Sequence, residues 1–183
     1  ETQLFIKHIF IFKIIRRTLS LIEEAYSEKV FTSEPKVNLI SKFLSPYLIR
    51  DIALTAIARE KPFQELTSIL RNEENNCLDV LGKEEKYPPQ SKLLSETVLI
   101  EFFRIIKEAV SELSNVKFYI IFDDVSDPQV SFEAQKILNC LMACHNEVYC
   151  CKFSTEKYAY TYQDMYGKTL QSPHDYTYVD LSW

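Results

Sequence analysis

Glycine is almost missing from this chain. Among 183 residues there are two, Gly82 and Gly167, against a usual share of about 7%. A loop that cradles phosphates with successive glycine N–H groups is therefore excluded within these residues. An excess of positive charge is also missing. Lys and Arg number 21 against 26 Asp and Glu, for a net charge of −5. That excludes a broadly basic nucleic-acid surface and leaves only local patches such as Arg16-Arg17. No long apolar run occurs. The longest, Leu4–Ile15, is interrupted by Lys7, His8 and Lys13, too short and too charged to cross a bilayer. No cationic leader with a small-residue cleavage site follows Glu1. The expectation is a soluble cytoplasmic protein without a membrane partner, whose chain begins inside a longer gene product. The five cysteines, Cys77, Cys140, Cys144, Cys150 and Cys151, are odd in number and include an adjacent pair. No secreted disulfide framework has that form, and reduced thiols fit a cytoplasmic compartment. Internal repeats and low-complexity tracts are absent as well.

What is present is a chain with 46% hydrophobic residues, enough for one domain with a core. A single domain over 1–183 is expected, mainly helical over 1–114, with strand, helix and strand in 115–183. Apolar residues Leu4, Phe5, Ile9, Phe12, Ile15, Leu19 and Ile22 recur three or four apart, which predicts a helix over Thr2–Lys29. Ser33-Glu34-Pro35 resembles a helix start with Ser33 as cap. Val37–Phe43 continues in helical spacing, Pro46 interrupts it, and Tyr47–Arg59 resumes it. Lys61-Pro62 opens a further helix through Leu81, which the polar run Arg71–Asn76 is expected to break in two. Gly82–Ser91, with Pro88-Pro89, reads as a surface loop. Ser95–Ser114 is a helix capped by Ser95.

Val116–Val125 then reads Val-Lys-Phe-Tyr-Ile-Ile-Phe-Asp-Asp-Val. Such an apolar run predicts a strand buried on both faces, as in the middle of a parallel sheet. It ends in two adjacent carboxylates, Asp123 and Asp124, at the edge where open α/β sheets bind ligands. This is the pattern of a Walker B strand. Asp123 is the candidate ligand of a nucleotide's Mg²⁺, and Asp124 the group that polarises the attacking water. The structural alternative is a strand-end turn, where Asp is common. Ser126-Asp127-Pro128 starts the helix Val130–His145, and Glu147–Ser154 is a second buried strand. Strand, helix and strand of these lengths predict a crossover unit of a parallel sheet. Ser154 and Thr155 then fall beside the acid pair, where a hydroxyl senses phosphate or water. Their alternative is local backbone bonding. Tyr158–Ser172 reads as irregular and Tyr176–Leu181 as a short final strand.

Other candidates are weaker. Gly167-Lys168-Thr169 matches the tail of a phosphate loop, but the position five before Gly167 is Tyr162, not glycine, so the motif fails. Cys140, Cys144, His145, Cys150 and Cys151 lack the paired knuckles of a zinc site and read as small buried hydrophobes. His8 lies on an apolar helix. His174 precedes Asp175, and the two could pair locally. Arg16, Arg17, Arg50, Arg59, Arg71 and Arg104 are scattered, and nothing selects an arginine finger.

Taken together, Phe118–Val125, the helix, Glu147–Thr155 and Ser172–Leu181 resemble bacterial P-loop ATPases of the origin-recognition-like AAA+ group. The resemblance places Asp123 at the metal acid, Asp124 where the group has Glu, Ser154 at sensor 1 and His174-Asp175-Tyr176 at a terminal motif. It implies an α/β fold, a partial P-loop NTPase core preceded by a helix-rich region, with ATP and Mg²⁺ as cofactors. It further implies a homo-oligomer or protein complex, with nucleic acid as a partner on the resemblance alone. Such ATPases commonly act on nucleic acid or as sensors in bacterial defence. The shorter Asp124 and the missing Walker A segment depart from the pattern. The expected function is an ATP-driven conformational or assembly switch whose Walker A lies upstream of Glu1. The alternative is a non-catalytic, degenerate P-loop fold that binds protein partners. A third reading is a helical adaptor with no nucleotide history.

Overall fold

The computed structural model describes residues 2–48, 62–83, 92–144, 146–156, 159–177 and 179. The fold is mixed α/β, with five α-helices and a two-stranded parallel sheet among the described residues. The chain divides into two compact units, Glu1–Val116 and Lys117–Trp183.

The first unit is helical: α1 (Thr2–Ser27), α2 (Val37–Leu44), α3 (Pro62–Gly82) and α4 (Glu96–Ala109). Its main seam joins α1 and α3. On α1 the buried residues Phe5, His8, Phe12, Ile15, Leu19 and Ile22 alternate spacings of three and four. On α3, Phe63, Leu66, Leu70, Glu73 and Cys77 do the same, so each helix lays one stripe against the other. The helices run antiparallel. Phe5 and Ile9 cluster with Cys77 at one end, and Tyr26 stacks on Phe63 at the other.

Two expectations fail here. Arg71–Asn76 does not break α3, which runs unbroken to Gly82. Its polar residues are part of the seam: buried Glu74 accepts from Arg16 Nε at 2.8 Å and lies 3.7 Å from Lys13 Nζ. Nor does Ser33 cap α2, which begins at Val37 after Lys36 with no side-chain cap. Ser33 instead binds Glu112, whose carboxylate also accepts the Thr32 and Ser33 N–H groups at 2.8 Å. The Ser33 hydroxyl first, then these two amides, hold the Glu112 carboxyl down to about 2.

α4 begins as expected, with Ser95 Oγ accepting the Val98 N–H. Pro46 ends α2 in a single 3₁₀ turn, Ser45–Tyr47. The expected helix over residues 49–59 and the loop over 84–91 lie outside the described residues.

In the second unit, β1 (Phe118–Phe122), α5 (Phe132–Met142) and β2 (Tyr149–Phe153) form the expected parallel strand–helix–strand unit. Ser131, not Ser126, caps α5 by accepting the Ala134 N–H at 3.2 Å. Asn146 starts β2, its side-chain oxygen accepting the Val148 and Tyr149 N–H groups. The strands are not buried on both faces. Tyr119 is 57% and Ile121 71% exposed, and the partners across the sheet on that face are Cys150 and Lys152. Lys152 Nζ lies 4.9 Å from the centre of the Tyr119 ring. Among the described residues the sheet has two strands, and α5 packs against β2. Tyr176, Thr177 and Val179 are not in a strand, and the rest of the predicted Tyr176–Leu181 strand lies outside the described residues.

Candidate functional site

The register Phe122↔Phe153 brings the C-terminal ends of β1 and β2 level. The next residue on each strand is Asp123 and Ser154. The ladder continues one step past both strands, because Ser154 N–H donates to Phe122 O and Val125 N–H to Ser154 O, each at 3.0 Å. Between them Asp124 takes a left-handed backbone, with φ of 51°. Such a conformation costs a non-glycine residue about 1–2 kcal/mol, and Asp is one of the few types that adopt it readily. The Asp124 N–H donates to Ser154 Oγ, 2.6 Å away. The same hydroxyl donates to Asp123 Oδ1. A serine hydroxyl has one proton to give, so the three groups form a one-way chain: Asp124 N–H to Ser154 Oγ, then Ser154 O–H to Asp123.

Asp123, Asp124 and Ser154 are all exposed. Val125 and Ser126 then turn inward and are buried, and Ser126 Oγ accepts the Glu156 N–H at 2.7 Å. No Lys or Arg pairs with Asp123 or Asp124 among the described residues. The edge therefore presents two solvent-facing carboxylates, with one Asp123 oxygen held and the other open. Those donors suit a hard cation such as Mg²⁺, which takes one or two carboxylates and fills its remaining positions with water and phosphate oxygens. They do not make an all-protein metal cage, and no group of three or more His, Cys, Asp or Glu able to hold a metal occurs among the described residues. The residues fit the metal side of a metal–nucleotide site. They do not supply the phosphate side.

The remaining candidates sort by what they touch. Thr155 Oγ1 donates to the adjacent Glu156 O and plays a local part. Gly167-Lys168-Thr169 forms the return of a tight hairpin with an antiparallel bridge between Gln163 and Thr169. Gly167 has φ of 83°, and the buried Asp164 carboxylate accepts the Tyr166 and Lys168 N–H groups at 2.9 Å. Those amides are spent on Asp164 rather than on an anion. The sequence neighbours His174 and Asp175 differ in exposure, and Asp175 is the less exposed of the two. It accepts from Lys168 Nζ and from Gln171 N–H, both at 2.9 Å, and the exposed His174 stands beside that pair. Tyr176 stacks on Tyr162.

The cysteines are free thiols. Burial, then neighbouring Cys150 and Cys144, pushes Cys151 up to about 12, which keeps it protonated and unlike a metal thiolate. Cys140 donates to Lys136 O within α5, and His145 lies outside the described residues. His8 is buried among Phe5 and Phe12, and its Nδ1 accepts the Leu94 N–H at 3.0 Å. Burial lowers it to about 4. Arg16 and Arg104 are engaged by Glu74 and Glu101, Arg17 and Arg71 are exposed, and Arg50 and Arg59 lie outside the described residues.

Sequence reading missed the residues that anchor the chain beyond β2. Gln135 and Asn139 sit one turn apart on the buried face of α5. Gln135 Oε1 accepts the Thr161 N–H at 2.9 Å. Asn139 Nδ2 donates to Thr161 O and Gln163 O, both at 2.8 Å, and its Oδ1 accepts from the Tyr160 hydroxyl. Two side-chain amides thus stand in for a neighbouring strand along 159–163. The available signal was an amide pair at i, i+4 amid Ile137, Leu138 and Leu141.

A family model described as ORC-CDC6-like matches residues 1–182. No curated protein and no solved structure matches the chain.

Proposed function

This chain belongs to the ORC-CDC6-like family, and from that premise we propose that it carries the metal side of the nucleotide site in an AAA+-type ATPase of bacterial kind. One observation supports this most: Asp123 and Ser154 end adjacent parallel strands, and the serine hydroxyl bonds the carboxylate. In this reading the phosphate loop and its Lys lie upstream of Glu1. Asp123 would hold Mg²⁺ through its open oxygen. When bound there, the metal would supply charge neutralisation for phosphoryl transfer. Asp124 orients the attacking water with its carboxylate, and Ser154 registers the state of the site. The Asp124 side chain is shorter than a Glu by one methylene, so slow turnover is expected. ATP binding and hydrolysis drive a conformational or assembly switch in a cytoplasmic homo-oligomer or protein complex. Nucleic acid is the further partner class that the family suggests, although the net charge of −5 offers it no broad basic surface.

The test uses the intact gene product. Asp123→Ala should lower Mg²⁺-dependent ATP hydrolysis by about 100-fold or more, with the circular dichroism spectrum unchanged. Turnover equal to the parent would reject the assignment. A second reading is favoured by the scarcity of glycine: a degenerate P-loop fold that binds protein partners without hydrolysis. An intact gene product that lacks a phosphate loop and does not bind ATP would select it.

A further inference from the structure

We propose that position 124 also acts through its backbone, as the positioning residue that fixes the Asp123 carboxylate by way of Ser154. This rests on the nucleotide-site reading above for its purpose, and on geometry for its form. The Asp124 amide donates to Ser154 Oγ at 2.6 Å, and the left-handed backbone at 124, with φ of 51°, turns the chain so that the next amide, Val125 N–H, bonds Ser154 O. With an Oγ lone pair engaged by the Asp124 amide, the Ser154 proton is directed onto Asp123 Oδ1. One Asp123 oxygen is thereby pinned, and the other keeps a fixed direction toward the open edge. The side chain that receives the metal is thus held by a hydroxyl, and the hydroxyl by the Asp124 amide, at a left-handed backbone turn that follows directly from the strand. The choice of Asp at 124 then has a second cause beside its carboxylate, since Asp, Asn and Gly accept a left-handed backbone and β-branched residues do not.

The predictions separate backbone from carboxylate. Asp124→Asn and Asp124→Gly keep the turn and the amide but remove the charge. Asp124→Val removes the charge and opposes the turn, while keeping its backbone N–H. Ser154→Ala cuts the chain at its middle without altering the turn, and Ser154→Thr restores the hydroxyl. Two readouts are used on the intact gene product: hydrogen exchange at the Asp124 amide, and affinity for Mn²⁺-ATP by calorimetry. The amide should be protected in the parent, Asp124→Asn, Asp124→Gly and Ser154→Thr, and exchange at least about 10-fold faster in Ser154→Ala. Mn²⁺-ATP affinity should fall by about 10- to 100-fold in Ser154→Ala and recover in Ser154→Thr, and it should fall further in Asp124→Val than in Asp124→Gly, two variants that both lack the carboxylate and differ in the backbone turn. Should Asp124→Val fail to fold, Ser154→Ala and its Thr rescue decide alone. Unchanged amide exchange in Ser154→Ala overturns the proposal, and so does unchanged metal–nucleotide affinity in the face of lost protection. A parent that never binds Mn²⁺-ATP, yet shows the protected amide and its loss in Ser154→Ala, overturns the nucleotide reading while the hydrogen-bonded chain stands.

Discussion

In the helical unit, α1 and α3 meet along stripes of Phe, Ile and Leu with two carboxylates and a histidine set into them. In the strand-bearing unit, α5 meets the 159–163 segment through the amides of Gln135 and Asn139. The first arrangement is non-directional and tolerates local change as long as the apolar stripe persists. The second is directional, because each bond has one donor and one acceptor, and loss of one partner leaves the other stranded. The unit that carries the candidate site is therefore the one whose geometry depends on individual polar atoms.

The largest effect should come from Asn139→Leu. The change preserves volume but strands the Tyr160 hydroxyl and two carbonyls, which should cost the strand-bearing unit about 3–4 kcal/mol. Hydrogen exchange along 159–170 reads the loss, and slow exchange in α1 and α3 should be retained. Uniform loosening of both units would break the comparison.

Acid should act the other way round, on the helical unit. Buried His8 takes its proton only at about 4, against about 6.5 unfolded. A lowered folded value means the neutral form is favoured in the fold. Its stabilisation is complete above pH 6.5 and is lost as pH falls from 6.5 to about 4, amounting to about 3 kcal/mol. Denaturant titrations across that window should show the decline, and His8→Gln, which keeps an acceptor for the Leu94 N–H, should flatten it. An unaltered pH slope in that variant would sink the assignment. The Glu112 carboxyl, held down to about 2, loses its contribution in a lower window, below about pH 4.5, so the two responses can be told apart.

A smaller change is expected at the seam's ion pairs. Glu74→Gln weakens the contact with Arg16 and Lys13 and should cost about 1 kcal/mol after screening at these part-exposed partners. A double-mutant cycle with Arg16→Met checks it, and zero coupling would remove Glu74 from the account. Smallest of all is Ile121→Thr on the exposed sheet face, expected to lie within about 0.5 kcal/mol of the parent. A larger loss would mean that this face is covered.

The helices were legible because a buried stripe repeats every three or four residues whatever it packs against, as Phe5 to Ile22 illustrate. The acid-ended strand β1 and its crossover were legible for a related reason: a run of β-branched and aromatic residues ends abruptly in acids. The continuity of α3 through Arg71–Asn76 was not, since Glu74 looks solvent-bound until Arg16 and Lys13 are seen across the seam. Nor was the exposure of Tyr119 and Ile121, because composition records that a strand is apolar and not how many of its faces are covered.

By itself the sequence determined the helical stripes, the two carboxylates at a strand end, and the lack of a glycine loop to cradle phosphate, all of which are properties of neighbours along the chain. Only the tertiary structure decided that Ser154, 31 residues away from Asp123, donates to it, that the Asp124 amide donates to the same hydroxyl, and that Asp175 accepts from Lys168. The physical reason is common to all three. A hydrogen bond is set by distance and direction in space, and spacing along the chain fixes neither until strand register and turn conformation are known.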